Sequence, residues 1–374
     1  MTTPPLHGIR IVEIAGIGPG PFCGMMLADH GAEVIRIERL GDATVTALAK
    51  DPLLRSRRTI ALNLKNPAAI AAVQRIVATA DGLIEGFRPG VMERLGLGPD
   101  VLLETNPRLV YGRMTGWGQT GPMAPQPGHD INYIAQSGAL HAFGTAGGKP
   151  QFPINMVGDF GGGGMMLAFG MLAAILHAQK TGQGQVVDCA MTEGSAVLMS
   201  MIWGFRGSGR WNDARGTNLL DGGAHFYDTY ETSDGRWVSI GAIEPQFYAA
   251  LRRVMALDGD HWTAQFDPRQ WPALKARLTD QFKTKTRDEW CAAFEGHEVC
   301  FAPVLSFDEA VTDPHNAARG AFVEAGGLTQ PAPAPRYSAS PTVAPVMPAG
   351  HDETLLAELG FGKDEIVALS SSPA

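Results

Sequence analysis

Two ionisable side chains, His129 and Asp159, are placed where acid/base chemistry would need them. They lie 30 positions apart, and each directly follows a glycine at the predicted start of a helix. The first N–H groups of a helix have no intrahelical acceptor and carry partial positive charge, so a developing anion would meet hydrogen-bond donors there. The pair could therefore supply both a proton carrier and an anion site. A simple N-cap at Asp159 and a structural role for His129 are the alternatives.

A run of four glycines, Gly161 to Gly164, follows Asp159 and opens an apolar stretch that extends to Gln179. Each glycine in a helix costs about 1 kcal/mol relative to alanine. The run therefore predicts the close approach of a ligand or of another backbone. The apolar stretch that follows predicts a buried helix.

Length and composition restrict the class of protein. The chain has 374 residues, 45% of them hydrophobic and 18% charged, which predicts a globular protein of two unequal domains. Its net charge of −8 argues against a nucleic-acid partner. Four cysteines without CxxC spacing indicate reduced thiols and no metal site. We find no export signal and no apolar run of membrane-spanning length, so we expect a cytoplasmic protein without a membrane partner.

The first 40 residues predict a doubly wound sheet. A strand at 9–14 leads into the glycine turn at 16–21, a helix and a second strand at 33–38. The turn resembles a dinucleotide fingerprint, but the third glycine position is occupied by Pro21 or Cys23, depending on the start of the count. We therefore expect a Rossmann-like sheet without a nicotinamide site.

Arginines follow the predicted strands of this half. We expect them in loops near the carboxyl ends of neighbouring strands, where they could bind a phosphorylated ligand, although a solvated surface is the alternative. They are Arg36, Arg39, Arg55, Arg57, Arg58, Arg88 and Arg94.

The second half changes character. Alternating strands around Ser233-Asp234-Gly235 predict an antiparallel hairpin. We predict an α/β fold with a Rossmann-like large domain, mainly parallel, and a smaller α+β domain. The predicted boundaries are 1–205 for the first part of the large domain, 206–224 for a linker, 225–329 for the small domain, and 330–374 for an extended return segment and helix that complete the large domain.

Nine segments in collinear order resemble the α-methylacyl-CoA racemases of the CaiB/BaiF family, also called family III CoA transferases. They cover nearly the whole chain: GIGPGP (16–21), ERLGLGP (93–99), TGWGQTGP (115–122), GHDINY (128–133), VGDFGGG (157–163), GQGQVVD (182–188), LLDGGA (219–224), GAIEPQFY (241–248) and PAPAPR (331–336).

The resemblance implies an isomerase that epimerises the carbon next to the thioester of a 2-methyl-branched acyl-CoA. It implies His129 and Asp159 as the catalytic bases and Glu244 as the partner of His129. It also implies an interlocked homodimer whose active site is shared between chains, and no metal or redox cofactor. For CoA and the thioester, it implies Ile17, Arg39, Arg55, Arg58, Arg88, Arg94, Tyr133 and the backbone N–H of Asp130.

This reaction suits the residues. Inverting a carbon centre by proton exchange needs one base on each face, and the enolate oxygen needs fixed donors. Glu244 would favour the protonated imidazole of His129, while a dry site would raise the pKa of Asp159.

Three other functions compete with the racemase. A CoA transferase of the same family would use Asp159 as a nucleophile through an acyl anhydride and would not need His129. A non-catalytic acyl-CoA-binding protein would need neither base, and an NAD enzyme is excluded by the glycine spacing.

One position departs from the pattern of the family. His225 stands where the family would have proline. We interpret it as a surface change, with an altered acyl pocket as the alternative.

Overall fold

The computed structural model describes residues 3–40, 51–348 and 350–370. The chain divides into two compact units. The larger comprises Met1–Ser137, Ile154–Leu198 and His315–Ala374, and the smaller comprises Gly138–Pro153 and Met199–Pro314. These bounds differ from the predicted domains, because the smaller unit includes residues 138–153 and begins before the predicted linker.

The strands and helices are numbered here in chain order. The strands are β1 (Arg10–Ile14), β2 (Glu33–Arg39), β3 (Arg58–Leu62), β4 (Gly82–Glu85), β5 (Val110–Thr115), β6 (Gln185–Ala190), β7 (Tyr227–Glu231), β8 (Trp237–Gly241), β9 (Phe301–Pro303), β10 (Phe322–Ala325) and β11 (Leu328–Pro331). The α-helices are α1 (Pro19–Asp29), α2 (Pro67–Val77), α3 (Val91–Arg94), α4 (Pro99–Thr105), α5 (Asp130–Gln136), α6 (Ala139–Ala142), α7 (Met166–Thr181), α8 (Met191–Leu198), α9 (Ser200–Gly207), α10 (Pro245–Val254), α11 (Trp271–Phe282), α12 (Arg287–Phe294), α13 (Phe307–Thr312), α14 (Pro314–Arg319), α15 (Glu353–Glu358) and α16 (Lys363–Ser370). A π-helix spans Met156–Met165, and 3₁₀ turns span Pro52–Leu54 and Asp260–Thr263.

The larger unit is built on a six-stranded parallel sheet in the order β3-β2-β1-β4-β5-β6. This is the doubly wound order, in which the chain reverses direction across the sheet between β1 and β4. The predicted Rossmann-like, mainly parallel sheet is confirmed.

Successive residues of a strand point to opposite sides of the sheet, and both faces of this sheet are covered. On one face, Val12 and Ile35 pack in a core with α2 and with Leu355 and Phe361 from α15 and the turn that follows it. On the other face, Ile11 and neighbouring strand residues pack against α1 and α7.

Two details of the first half were predicted incorrectly. Residues 58–62 form β3, which pairs with β2, whereas the arginines around it were assigned to loops. Arg36 is likewise not a loop residue. It lies in β2, is 3% exposed, and donates to Glu13 and Glu38. Short strands that carry arginines lack the apolar pattern from which a buried strand is predicted.

The apolar stretch after Asp159 forms the π-helix and then α7. Among the described residues it is the one helical segment, Met156–Thr181, long and apolar enough to cross a membrane by length and composition. The expectation that no run reaches that length was therefore wrong. An 18-residue stretch within it has a mean hydropathy of 1.5, and 44% of that stretch is buried. Helices in the core of a globular protein have these same properties.

The smaller unit contains an antiparallel sheet in the order β7-β8-β9. The predicted hairpin is present, and Gly235 at its turn has φ +73°. The capping boxes of α12 and α13, which begin at Thr286 and Ser306, fix the start of each helix. The segment predicted as a linker is held by Asp221, whose carboxylate accepts from the backbone N–H groups of Gly216, Asn218 and Gly223.

The return segment lies along the larger unit as an extended chain. Val343 N–H donates to the carbonyl of Asp29 at 2.8 Å, and Ser56 N–H donates to the carbonyl of Val346 at 2.6 Å. The side chain of Asp352 then caps α15, as its sequence predicts.

Candidate active site

A cavity of about 890 Å³ opens at the carboxyl edge of the parallel sheet. The segments that follow β1, β4 and β5 form its walls, and both His129 and Asp159 line it. The cavity thus lies at the point where the strand order reverses, which is where open α/β sheets bind ligands. The sheet topology therefore brings the two predicted bases into one space.

His129 is fixed by the helix that it begins. It is the N-cap of α5, and its backbone N–H donates to Asn132 Oδ1 at 3.1 Å, while its side chain is exposed. The glycine before it is required by packing, because a Cβ on Gly128 would lie 2.7 Å from Tyr133 Cε1 and 3.0 Å from Trp117 Cζ2. The imidazole is thus held at a helix N-terminus without being buried.

Asp159 lies in the first turn of the π-helix and is half-buried. Its Oδ2 accepts a hydrogen bond from Asn155 Nδ2 at 3.0 Å. Burial raises the pKa of the Asp159 carboxyl and the negative charge of Asp130 raises it further, while the Asn155 hydrogen bond and His129 lower it. The expected rise in this pKa is confirmed.

The glycines after Asp159 let two other helices approach. A Cβ on Gly162 would lie 2.6 Å from Ser195 N of α8, and one on Gly164 would lie 2.7 Å from Pro19 O of α1. The close backbone approach predicted for this run is confirmed. π-helices are rare and are often found at functional sites.

Asp130 and Tyr133 extend from α5, and Tyr133 lines the cavity. Asp130 is 7% exposed, and its Oδ1 accepts the backbone N–H of Asp159 at 2.8 Å. The ring of Tyr133 meets Trp117 edge to face, with ring centroids 4.8 Å apart, and its hydroxyl donates to the carbonyl of Gly128. Burial raises the pKa of Tyr133. The N–H of Asp130 belongs to the first residue of α5 and has no intrahelical acceptor.

Three of the five arginines predicted to contact CoA are exposed. Arg88 follows β4 and lines the cavity together with Ile17, which is 75% exposed. Arg39 ends β2 and Arg94 ends α3. These three could meet phosphate groups, and their contact with CoA stays a prediction.

The other two arginines have structural partners instead. Arg55 is 3% exposed, and its guanidinium donates to Asp29 at 2.9 and 2.5 Å and to Gln330 Oε1 and the carbonyl of Pro331. Arg58 donates to Asp352 and Glu358. Both side chains were predicted to contact CoA, whereas in the structure their donors are directed to protein acceptors.

Glu244 lies in the smaller unit. It is exposed and is the N-cap residue of α10, followed by Pro245. Its predicted pairing with His129 stays a prediction.

His225 is buried in the smaller unit, so its interpretation as a surface change was wrong. The ring is 0% exposed, lies among Phe226, Tyr248 and Trp262, and hydrogen-bonds through Nε2 to the Tyr248 hydroxyl at 2.8 Å. Burial and, to a lesser extent, the positive charge of Lys275 lower its pKa to about 4.

Sequence reasoning missed Glu85, a buried carboxylate that lines the cavity from the end of β4. It accepts from the backbone N–H of Phe87 at 2.7 Å and from Arg113 Nε at 3.0 Å, and burial raises its pKa to about 7. An acidic residue that ends an apolar strand just before a glycine was the available signal. Asn155, four residues before Asp159, was missed as well.

The chain matches known proteins over most of its length. Residues 6–353 match the family model described as CoA-transferase family III. The chain is 45% identical to the α-methylacyl-CoA racemase of Mus musculus over 371 residues, covering 98% of this chain and 96% of that protein. It is 43% identical to the α-methylacyl-CoA racemase of Homo sapiens over 373 residues, covering 98% and 96%. A crystal structure of a CaiB/BaiF family protein from Brucella suis is similar with a TM-score of 0.82 and 26% identity, covering 96% of this chain and 100% of that one.

Proposed function

Because the chain belongs to CoA-transferase family III, we propose that it is an isomerase that interconverts the (2R) and (2S) forms of 2-methylacyl-CoA thioesters. The relatives named above that share 45% and 43% of its residues are racemases of this kind. The observation that carries the proposal is the presence of two different proton carriers, His129 and Asp159, in the wall of one cavity.

The proposed reaction removes the single C2 proton from one face of the α-carbon and adds a proton to the opposite face. One base removes the C2 proton and leaves an enolate thioester, and the conjugate acid of the other base returns a proton to the opposite face. After one turnover the two bases have exchanged protonation states, so protons and charge balance. A raised pKa of Asp159 suits this exchange, because both protonation states of its carboxyl are then accessible.

The enolate oxygen needs donors that are already oriented. The N-terminus of α5 supplies unsatisfied backbone N–H groups next to His129, among them that of Asp130. Loss of one such donor costs roughly 2.7 to 4 kcal/mol of transition-state stabilisation in other enzymes. CoA would be bound by Arg88 and Ile17 at the cavity, and we propose Arg39 and Arg94 as further contacts for its phosphate groups.

We further propose that the reaction needs no metal or redox cofactor, because a 1,1-proton transfer is redox-neutral. A cytoplasmic location is part of the same proposal, since a reducing compartment suits the four free thiols.

The protein is proposed to act as a homodimer in which Glu244 of a second copy pairs with His129. An apolar face of the larger unit supports an interface. It is formed by Met165, Phe169, Leu172 and Leu176, which are 38 to 73% exposed. Exposed apolar patches of this kind are typical of protein interfaces.

The decisive measurement is proton NMR in heavy water with a panel of 2-methylacyl-CoA esters and no acceptor acid. We expect the C2 proton signal to disappear with the wild-type protein, and His129→Ala and Asp159→Ala to slow the interconversion of the (2R) and (2S) esters by about 10²-fold or more. A CoA transferase would instead move CoA to a free acid, without C2 exchange and without needing His129. That result, or near-normal racemisation by either variant, would refute the proposal.

Sharing of the site can be tested by mixing two inactive variants. A dimer of one His129→Ala chain and one Glu244→Ala chain regains one intact site only if Glu244 acts across the interface. Random mixing should then restore about one quarter of the wild-type activity. No recovery in a mixture shown to contain mixed dimers would contradict the shared site.

A further inference from the structure

The helices that carry the two proposed bases are joined by one side chain. Asp130 directly follows His129 as the first residue of α5, and its Oδ1 accepts the backbone N–H of Asp159 at 2.8 Å. This hydrogen bond links the first turn of α5 to the first turn of the π-helix, although the two residues are 29 positions apart. The Asp130 carboxylate therefore contributes to the relative position of the two bases.

The contact depends on the glycine that precedes Asp159. A Cβ atom on Gly158 would lie 2.3 Å from Asp130 Oδ1 and 3.2 Å from Ile134 Cγ2. A larger residue at 158 would thus displace the carboxylate of Asp130 from the N–H of Asp159. The glycine makes room for the carboxylate of Asp130 at this point.

The second oxygen of Asp130 has no hydrogen-bond partner in the described part of the chain. Oδ2 is buried, and Asp130 as a whole is 7% exposed. A buried carboxylate oxygen without a donor is costly, whereas a neutral amide could accept the same N–H bond without placing a charge there. A purely structural link does not explain why a charged group occupies this position.

The charge has an effect on Asp159. The neighbouring Asp130 disfavours the ionised form of Asp159 and so raises the pKa of Asp159 in addition to burial, while Asn155 and His129 act in the opposite direction. The elements packed against the π-helix carry these other titratable groups: Cys23 and Asp29 on α1, Tyr133 on α5, Tyr111 and Arg113 on β5, His177 and Lys180 on α7, Asp188 and Cys189 on β6, and Glu193 on α8. Among charged groups, Asp130 and His129 are the ones that shift this pKa.

We propose that Asp130 is a positioning residue for the racemisation: its side chain holds Asp159 against the helix that begins at His129, and its negative charge favours the protonated Asp159 carboxyl that returns the proton. This role rests on the proposed function, and it is separate from the donor role of the Asp130 backbone N–H.

Two substitutions separate the hydrogen bond that Asp130 accepts from the effect of its negative charge. Asp130→Asn keeps an oxygen that can accept the Asp159 N–H but removes the charge, and Asp130→Ala removes both. Asp100→Asn is the matched control, because Asp100 is an exposed carboxylate in the first turn of α4 and the chemical change is the same. The rates of C2 deuterium incorporation should be measured against pH in both stereochemical directions.

We expect Asp130→Asn to leave KM within about twofold and to move the Asp159 limb of the kcat profile to lower pH. Asp130→Ala should in addition lower kcat by about 10²-fold, because Asp159 loses its anchor. Asp100→Asn should match the wild type. An unchanged pH profile in Asp130→Asn, or an Asp130→Ala variant that is only less stable and keeps its kcat, would overturn the proposal.

A titration without substrate keeps this test independent of the reaction. The ¹³C carboxyl signal of Asp159, assigned by its absence in Asp159→Asn, should titrate at lower pH in Asp130→Asn than in the wild type. If the wild type shows no C2 exchange but the signal shifts in this way, the proposed function fails and the coupling between the carboxylates stands. If exchange is normal and the signal does not shift, the charge role of Asp130 is refuted.

Discussion

The carboxylate of Asp159 lies against the backbone of Gly18, so that a Cβ atom on Gly18 would stand 3.3 Å from Asp159 Oδ2. Gly18 is the N-cap of α1 and has φ +67° and ψ −116°, a conformation that disfavours residues with a side chain. The turn after β1 therefore sets the position of a proposed base on a different helix.

We expect Gly18→Ala to lower kcat by about tenfold or more, because the carboxylate must move. The free energy of unfolding should also fall, by about 1 to 2 kcal/mol, from backbone strain. Gly8→Ala is the control: Gly8 has φ +87°, but a Cβ there meets nothing within 4 Å. Both variants should lose stability in urea titrations, and equal loss of activity in the two would contradict the explanation.

The arginines should divide into binding and structural groups. Arg88→Gln should raise the KM for acyl-CoA by about tenfold, because a hydrogen bond to a charged group is lost, and should leave stability unchanged. Arg55→Gln should lower the free energy of unfolding by about 3 to 5 kcal/mol, since Asp29 stays buried without its partner. Calorimetric titration with CoA and urea unfolding test both. Weakened CoA binding by Arg55→Gln at wild-type stability would show that Arg55 contacts the ligand.

Glu85 should make stability depend on pH near neutrality. Its pKa is raised from 4.5 to about 7, so the folded state holds the proton more tightly than the unfolded state does. The stability that this supplies is present below pH 4.5 and is lost as the pH rises through 7, by about 3 kcal/mol. Relative to Glu85→Gln, the wild type should become less stable across that range. Relative to Glu104→Gln, a change at an exposed position of α4, the wild type should show no such trend.

His225 should have the opposite dependence. Its pKa is lowered from 6.5 to about 4, so the unfolded state binds the proton more tightly than the folded state does. Stability should therefore be lost as the pH falls from 6.5 towards 4, by about 3 kcal/mol. His225→Gln should remove this acid sensitivity, and the exposed His261→Gln should keep it. Equal acid sensitivity of wild type and His225→Gln would place the titrating group elsewhere.

The features of the site that are local in the sequence were predictable. His129 as the start of a helix, the close packing of the glycines after Asp159 and the doubly wound sheet all follow from patterns within about 20 residues. The topology of the parallel sheet then brings His129 and Asp159 together at its carboxyl edge, where open α/β sheets bind ligands.

The features that depend on distant partners were not predictable. Arg55 resembled a ligand arginine because its acceptor Gln330 lies 275 positions away. The glycines of the π-helix pack against α1 and α8. Because these contacts are with other helices, the local sequence pattern does not show that the segment forms the wider turns of a π-helix. His225 was misjudged because its burial depends on aromatic residues from Phe226 to Trp262 that form one cluster only after folding.

The discontinuous larger unit has a consequence for synthesis of the protein. The core that contains Val12 and Ile35 also contains Leu355, Leu356, Phe361 and Leu369. The core of the sheet is therefore complete only after side chains more than 300 residues later have been translated. The smaller unit needs only residues 138–153 and 199–314. On the ribosome it can therefore become compact while the part of the sheet that the C-terminal helices will cover is still exposed, which makes that interval the stage at which chaperones would matter most.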